Sequence, residues 1–204
     1  MFVIAVTGGS GSGKSFICQK LISALGSDMV CHLSQDHYYL PRNLQPYDGN
    51  GIQNFDTLQS IDIDIFYKDV LLLMNGQTIL KEEYVYNNPK KASSQLTFKS
   101  RPILLLEGLL LLHHESINQL ANLKIFVEAP EDLKLKRRIQ RDAIERGYDN
   151  ADVIYRFVHH VTPMYEQLIA PYKSIADIVV INDNAEINAA ITEIVHLVRK
   201  AAHL

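Results

Sequence analysis

The stretch Gly8-Gly9-Ser10-Gly11-Ser12-Gly13-Lys14-Ser15 follows an apolar run, Phe2 to Val6, near the start of a chain of 204 residues. Its spacing, Gly8-x4-Gly13-Lys14-Ser15, fits the Walker A pattern, placed between a predicted strand and a predicted helix. Glycines let successive backbone N–H groups converge on an anion, because no Cβ obstructs the turn. A helix opening near Lys14 adds its positive end at the same point. Lys14 can reach β- and γ-phosphates, and Ser15 offers a hydroxyl to Mg²⁺. The expectation is a loop that holds a nucleoside triphosphate, with kinase, GTPase and motor ATPase all open.

Other residues separate those options. A GTPase would carry a late Asn/Thr-Lys-x-Asp motif, which the sequence lacks, and a motor would need a larger body. A small-molecule kinase needs a carboxylate base, a carboxylate for the metal and positive charge over the transferring group. Asp36, in Ser34-Gln35-Asp36-His37-Tyr38-Tyr39, ends a strand candidate and is placed either to accept a hydroxyl proton or to cap a turn. Glu107 ends the very apolar Ile103 to Leu106, where a carboxylate either avoids burial by facing a cation, Mg²⁺ being the best fit, or caps the following turn. The segment from Glu131 to Arg146 carries Lys134, Lys136, Arg137, Arg138 and Arg141. It reads as a lid clamping phosphates, or as a solvated face balanced by Glu131, Asp132, Asp142 and Glu145.

These groups must be held by alternating elements. Strands are predicted over Phe2–Val6, Met29–Leu33, Ile103–Leu106, Leu123–Val127 and Ile178–Ile181. Helices are predicted over Phe16–Leu25, Ile61–Met74, Pro130–Arg146, Asp152–Leu168 with a kink near Pro163, and Ala185–Lys200. Thr78–Leu80, Tyr84–Tyr86 and Gln95–Phe98 read as strands of an antiparallel flap, and residues 37–60 as an ordered loop over a site. The alternation predicts an α/β fold with a parallel sheet covered on both faces. An apolar share of 47% supports one substantial core, so residues 1–204 are expected to form a single domain. Its parts are a phosphate loop at 8–15, a flap at about 78–99 and a lid at about 131–150. A net charge of −3 argues against a nucleic-acid partner, and no run spans a bilayer. Cys18 and Cys31 read as reduced thiols, and the protein is expected to be cytoplasmic.

Taken together, GGSGSGKS, SQDHYY, Asn54-Phe55-Asp56, LLLEG, KRRIQRDAIERG and TPMYEQLIAPYKSIADIVV resemble the uridine kinases of the P-loop nucleoside kinase group over nearly the whole chain. The resemblance implies a P-loop NTPase-type three-layer sandwich, with a five-stranded parallel sheet, a β-hairpin flap and a helical lid. It implies ATP, or alternatively GTP, as donor, Mg²⁺ as metal, and a nucleoside or related alcohol as acceptor. Homo-oligomers are left open. By resemblance, Asp36 is the general base and lies near the metal, with Ser15 and Glu107 as further metal groups. Tyr39, Phe55, Asp56, Tyr84 and Tyr86 line the nucleoside site. Arg138 and Arg141 contact substrate and phosphate, and Arg146 is a lid arginine beside the nucleotide. Lys14 and Arg141 join Asp36 as catalytic groups, and Gly8 to Ser15 bind the nucleotide. Other acceptors implied by the wider group are nicotinamide riboside, a sugar phosphate or a pantothenate-like alcohol; a nucleotide-binding regulator without transfer is the alternative outside enzymes.

The chain departs from the family at two places. Pro89 stands where a base-reading histidine is expected, and its ring has neither donor nor acceptor. Tyr148 replaces a second lid arginine. The adjacent pairs His113-His114 and His159-His160 read as surface or packing residues, since helical neighbours do not share a face. His37 reads either as an exposed loop histidine or as a residue at the site mouth, and Tyr38-Tyr39 as either core or site lining.

Overall fold

The structure, a computed structural model, describes residues 1–86, 92–183 and 187–203. Five strands form the central sheet: β1 (Phe2–Thr7), β2 (Val30–Ser34), β5 (Ile103–Glu107), β6 (Leu123–Glu128) and β7 (Ile178–Ile181), in the order β2-β5-β1-β6-β7. All four pairings are parallel. This is the predicted α/β arrangement, with each strand within about a residue or two of its expected bounds.

The sequence of β5, ILLLE, explains its central place. Every residue of it is buried. Ile103 and Leu105 pack with Ile4, Val6 and helix α1 (Lys14–Leu25) on one face. Leu104 and Leu106 pack with Val3, Ala5 and α2 (Ile63–Met74) on the other. A strand apolar on both faces must be covered on both. Burying each of these side chains stabilises the fold by roughly 1.5–3 kcal/mol. Helix α7 (Ile187–Ala202) lies against the α1 face, and α3 (Glu115–Leu120) contributes Ile117 to the other.

Helix starts follow capping chemistry. Asp62 accepts from the Ile65 N–H at 3.0 Å and opens α2. Asp149 accepts from the Asp152 N–H at 2.8 Å and opens α5 (Asn150–Arg156). Beyond α5 the chain stays helical. The predicted break at Pro163 takes the form of a short turn α6 (Thr162–Met164) between two π-helical stretches, Phe157–Val161 and Tyr165–Ile169. Proline supplies no N–H for the regular helical bond, and wider turns on either side absorb the loss.

The flap differs from expectation in one strand. β3 (Thr78–Glu82) and β4 (Gln95–Lys99) pair antiparallel. Tyr84 to Tyr86 form no strand: they pass beyond the paired segment, and their side chains turn to Tyr39 instead. Asn87 to Lys91, including Pro89, and the expected start of the last helix at Ala185 lie outside the described residues. Among the described residues no helix is long and apolar enough to cross a membrane. Cys18 and Cys31 are buried free thiols.

Sheet order determines where chemistry can occur. From β1 the chain winds to β2 on one side, and later from β5 to β6 on the other, so the winding reverses beside β1. In open α/β sheets that reversal leaves a crevice at the carboxyl ends of the strands. The glycine loop follows β1, Asp36 follows β2, and Glu107 closes β5; Val6 and Ser34 are both in register with Glu107.

Candidate active site

A cavity of about 550 Å³ opens at that crevice. Of the sequence-predicted residues, Ser10, Gly11, Gly13, Lys14, Ser15, Asp36, Tyr39, Phe55, Asp56, Tyr84, Tyr86, Glu107, Arg138, Arg141 and Arg146 line it. Gly8, Gly9 and Ser12 do not reach its wall; they shape the loop from behind.

The loop needs its glycines for measurable reasons. Gly13 has φ 93°, and a Cβ there would lie 2.0 Å from Asn182 Nδ2. Gly8 has φ 144°, and its Cβ would meet the Val127 carbonyl oxygen at 2.1 Å. Asn182 Nδ2 donates to the Ser12 carbonyl at 2.7 Å. Arg137 donates to the carbonyls of Gly11 and Ser12, each at 3.4 Å, and to the Asn182 carbonyl at 3.2 Å. With these carbonyls tied outward, loop N–H groups can converge on an anion, as in a nest of backbone donors, except that of Ser12, which donates to the Gly9 carbonyl at 3.2 Å. Lys14 Nζ donates to the carbonyls of Gly8 and Gly9, each at 3.0 Å. Burial lowers its pKa, opposed by Glu107 and Asp36 and reinforced by Arg141. All three charges therefore act on the ammonium.

Glu107 accepts from Ser15 Oγ at 2.5 Å and lies 2.8 Å from His32 Nε2. Burial alone would raise its pKa, but His32, Ser15 and Lys14 more than offset that and hold it below the ordinary value. Ser15, Glu107 and Asp36 together offer hydroxyl and carboxylate oxygens, the hard donors that suit Mg²⁺. Cys18 Sγ is within 4.8 Å of the His32 and Glu107 ligand atoms. Burial drives the Cys18 thiol pKa well up. His32 was not anticipated. Its signal is a lone polar residue inside the apolar strand Val30–Ser34, beside the strand that ends in Glu107.

The segment expected as a lid contains helix α4 (Glu131–Glu145), and Arg138, Arg141 and, just past its end, Arg146 converge on Asp142, which the solvated-face alternative counted among its balancing charges. Asp142 is 2% exposed. It pairs with Arg138 at 3.2 Å, Arg141 at 2.8 Å and Arg146 at 3.4 Å. Burial would raise its pKa; the three guanidiniums lower it overall. The spacing Arg138-x3-Asp142-x3-Arg146 was the available signal, since i,i+4 residues share a helix face. Arg138 also donates to Ser10 Oγ at 2.9 Å and lies 3.6 Å from Asp56, tying lid to loop.

The other end of the cavity is aromatic. Tyr39 sits 5.5 Å from Tyr84, 5.9 Å from Tyr86 and 6.4 Å from Phe55, ring centre to ring centre. The Arg146 guanidinium lies 3.7 Å from the Tyr86 ring centre. Burial pulls its pKa down, yet Tyr86, Asp142 and Asp36 keep it above the usual arginine value. Tyr38 and Tyr39 divide the two roles considered for them. Tyr38 is core, donating to Asp69 at 2.8 Å, and Tyr39 is lining. His37 packs against Phe98, 5.9 Å between ring centres, away from the cavity wall.

Arg42, Tyr148 and Arg156 also line the cavity and were not anticipated there. They are held by the loop from Pro41 to Asp56. Asp48 anchors that loop, accepting from the N–H groups of Asn50 and Ile52, from the Tyr155 hydroxyl at 2.8 Å, and facing His160 Nε2 at 2.8 Å. The Ile52 and His160 bonds hold the Asp48 carboxyl far below its ordinary pKa. His160 is thus a packing residue, as expected, with a specific partner. His113 likewise packs, against Tyr172.

Comparison with known proteins agrees with this geometry. The profile of the phosphoribulokinase/uridine kinase family matches residues 3–186. A uridine kinase of Ligilactobacillus salivarius is 32% identical over 201 residues, covering 97% of this chain and 94% of that one. A uridine kinase of Limosilactobacillus reuteri is 33% identical over 178 residues, covering 87% and 82%. Among solved structures, a "possible uridine kinase" from Bacillus stearothermophilus superposes with a TM-score of 0.58 at 15% identity over 88% of each chain. A shikimate kinase from Acinetobacter baumannii gives 0.51 at 12% identity, covering 98% of this chain and 94% of that one. The two superpositions support the P-loop kinase fold, and the profile and sequence matches carry the rest: the chain belongs to the phosphoribulokinase/uridine kinase family.

Proposed function

We propose that the protein transfers the γ-phosphoryl group of ATP, with Mg²⁺, to the 5′-hydroxyl of a pyrimidine ribonucleoside, uridine or cytidine, as a cytoplasmic step of pyrimidine salvage. The observation that carries this reading is one cavity shared by the phosphate loop, Asp36 and the aromatic cluster Tyr39, Phe55, Tyr84 and Tyr86. It joins a donor site, a base and flat apolar walls suited to a planar ring. Relatives named uridine kinase support the acceptor.

In this reading residues 1–204 work as one kinase domain. The loop N–H groups from Gly8 to Ser15 hold the β- and γ-phosphates. Ser15, Glu107 and Asp36 hold Mg²⁺, which when bound neutralises phosphate charge. Asp36 takes the proton from the attacking hydroxyl. Lys14 and Arg141 face the negative charge that builds on the equatorial oxygens, while Arg146, expected beside the nucleotide, instead stacks on Tyr86 at the acceptor end. Arg138 and Asp56 orient the ribose. The barrier falls mainly through positioning and charge neutralisation.

The test is ADP release, coupled to a detection enzyme, over a panel of uridine, cytidine, nicotinamide riboside, a sugar phosphate and pantothenate, with ATP and GTP as donors. Turnover with uridine or cytidine and ATP is expected. Turnover with another alcohol alone overturns the pyrimidine assignment, and nucleotide binding without any turnover overturns the enzyme assignment.

A further inference from the structure

The cations of the cavity are not equivalent. Arg138, Arg141 and Arg146 share Asp142, and Arg156 pairs with Asp152 at 2.9 Å. Arg42 differs. Its partners are the Gln53 Oε1 at 3.0 Å and the Tyr148 hydroxyl at 3.2 Å, with its guanidinium 5.9 Å from the Phe55 ring centre. Among the described residues, none of its partners is a carboxylate. Two neutral acceptors do not exhaust a guanidinium with five N–H donors.

Its position gives this meaning. Arg42 lies beside Phe55 and Tyr148, both cavity walls, and its charge acts on Tyr84 along with that of Arg146. It therefore belongs to the aromatic end, not to the phosphate loop. Nearby groups reinforce its chemistry. The Arg156 guanidinium lies over Tyr148 at 5.2 Å. The Gln53 oxygen is already taken by Arg42, and the Gln53 amide donates to the Arg42 carbonyl at 2.6 Å. Two guanidiniums, which only donate, stand here beside the Tyr84 and Tyr148 hydroxyls, which donate and accept, so among the described residues this wall is weighted toward donors. The loop carrying Arg42 is not loose. Asp48 fixes it to Tyr155 and His160, so the backbone that carries Arg42 is held in place before anything binds, while the Arg42 side chain itself is exposed.

We propose that Arg42, positioned by Tyr148 and Gln53, determines acceptor specificity by donating to an oxygen lone pair on the ring end of the acceptor. Such a wall accepts a carbonyl or carboxylate oxygen. It disfavours an exocyclic amino group opposite the guanidinium, because guanidinium and amino donors would then face each other unpaired. Resting on the nucleoside kinase reading above, this predicts preference for the uracil carbonyl edge over the cytosine amino edge.

The test compares kcat/KM for uridine and cytidine in the wild type, Arg42→Met and Tyr148→Phe, with nicotinic acid riboside and nicotinamide riboside as a carboxylate–amide pair. The wild type should favour uridine by about tenfold, the size expected for one charge-assisted hydrogen bond. Arg42→Met should lower the uridine value about tenfold, chiefly through KM, and bring the two pyrimidines within about twofold of each other. Tyr148→Phe, which removes only the hydroxyl that seats Arg42, should give a smaller loss of the same kind. A preference for the carboxylate riboside that Arg42→Met abolishes would sustain the role of Arg42 while overturning the pyrimidine reading. Equal losses on uridine and cytidine, or none on either, would overturn the proposal. Should no riboside be phosphorylated, calorimetric binding of uridine and cytidine to the wild type and Arg42→Met still decides it: no difference between the two nucleosides would overturn it.

Discussion

The two ends of the cavity are built by different means. The phosphate end is made of backbone, fixed by bonds from Asn182 and Arg137 to the carbonyls behind it. The aromatic end is made of side chains from separate segments: Tyr39, Phe55, Tyr84 and Tyr148. Backbone geometry at a glycine-rich turn accepts few sequences, whereas a ring-lined wall can be assembled from many. One end is therefore constrained to a common chemistry, and the other is free to define a particular acceptor.

Variants can break or sharpen that contrast. The largest effect is expected at the junction. Asp36→Asn should lower kcat by about 10²–10⁴-fold while leaving nucleotide affinity within about threefold, checked by the coupled assay and by ADP calorimetry. A turnover close to wild type would remove Asp36 as the base.

On the phosphate side, Asp142→Asn should destabilise the fold by about 3 kcal/mol in urea unfolding, because three guanidiniums lose their buried anion. The pH dependence follows from the same pairing. The folded pKa of Asp142 lies below its ordinary 3.8, and that of Glu107 below 4.5. The unfolded chain then binds more protons, so this stability is present above those ordinary values and is lost as pH falls below them. An acid-unfolding midpoint unchanged in Asp142→Asn would contradict that role.

Gly13→Ala should cost roughly 1–3 kcal/mol from the left-handed backbone alone, and nucleotide binding should be lost as the new Cβ displaces Asn182. Gly49→Ala, which meets nothing within 4 Å, is the matched control and should leave Tm nearly unchanged.

The smallest effect belongs to the aromatic end. Tyr86→Phe keeps the ring under Arg146 and should change the acceptor KM by only about twofold, whereas Tyr86→Ala removes the cation–π contact and should raise it about tenfold. If instead either variant alters ATP affinity more than acceptor affinity, the division between the two ends is misplaced.

How far the sequence carried the reading follows the same division. The glycine loop, Asp36 and Glu107 were legible because local spacing and strand ends determine where they go. Asp142 entered the reading only as a balancing charge of the solvated-face alternative, since composition counts charges without showing which face they take. Asn182 escaped notice because its partner is far away in the chain, although it follows the apolar run Ile178–Ile181 at the same sheet edge. Arg42 sits in a loop of 3₁₀ turns, with no periodicity to aim its side chain. Tyr84 and Tyr86 were placed rightly at the site and wrongly in a strand; their ring contacts, not ladder bonds, fix them.

The clasp around the glycine loop also bears on how the protein is made. Gly8 is closed in by Val127, Gly11 by the Lys134 backbone, and Gly13 by Asn182. The turn thus takes its shape from residues synthesised more than a hundred positions after it. A nascent chain that ends before Asn182 lacks the amide that holds the Ser12 carbonyl, whatever else has folded. The loop thus reaches its clasped shape only once the segment after β7 has docked beside it, and the motif by itself does not supply that shape.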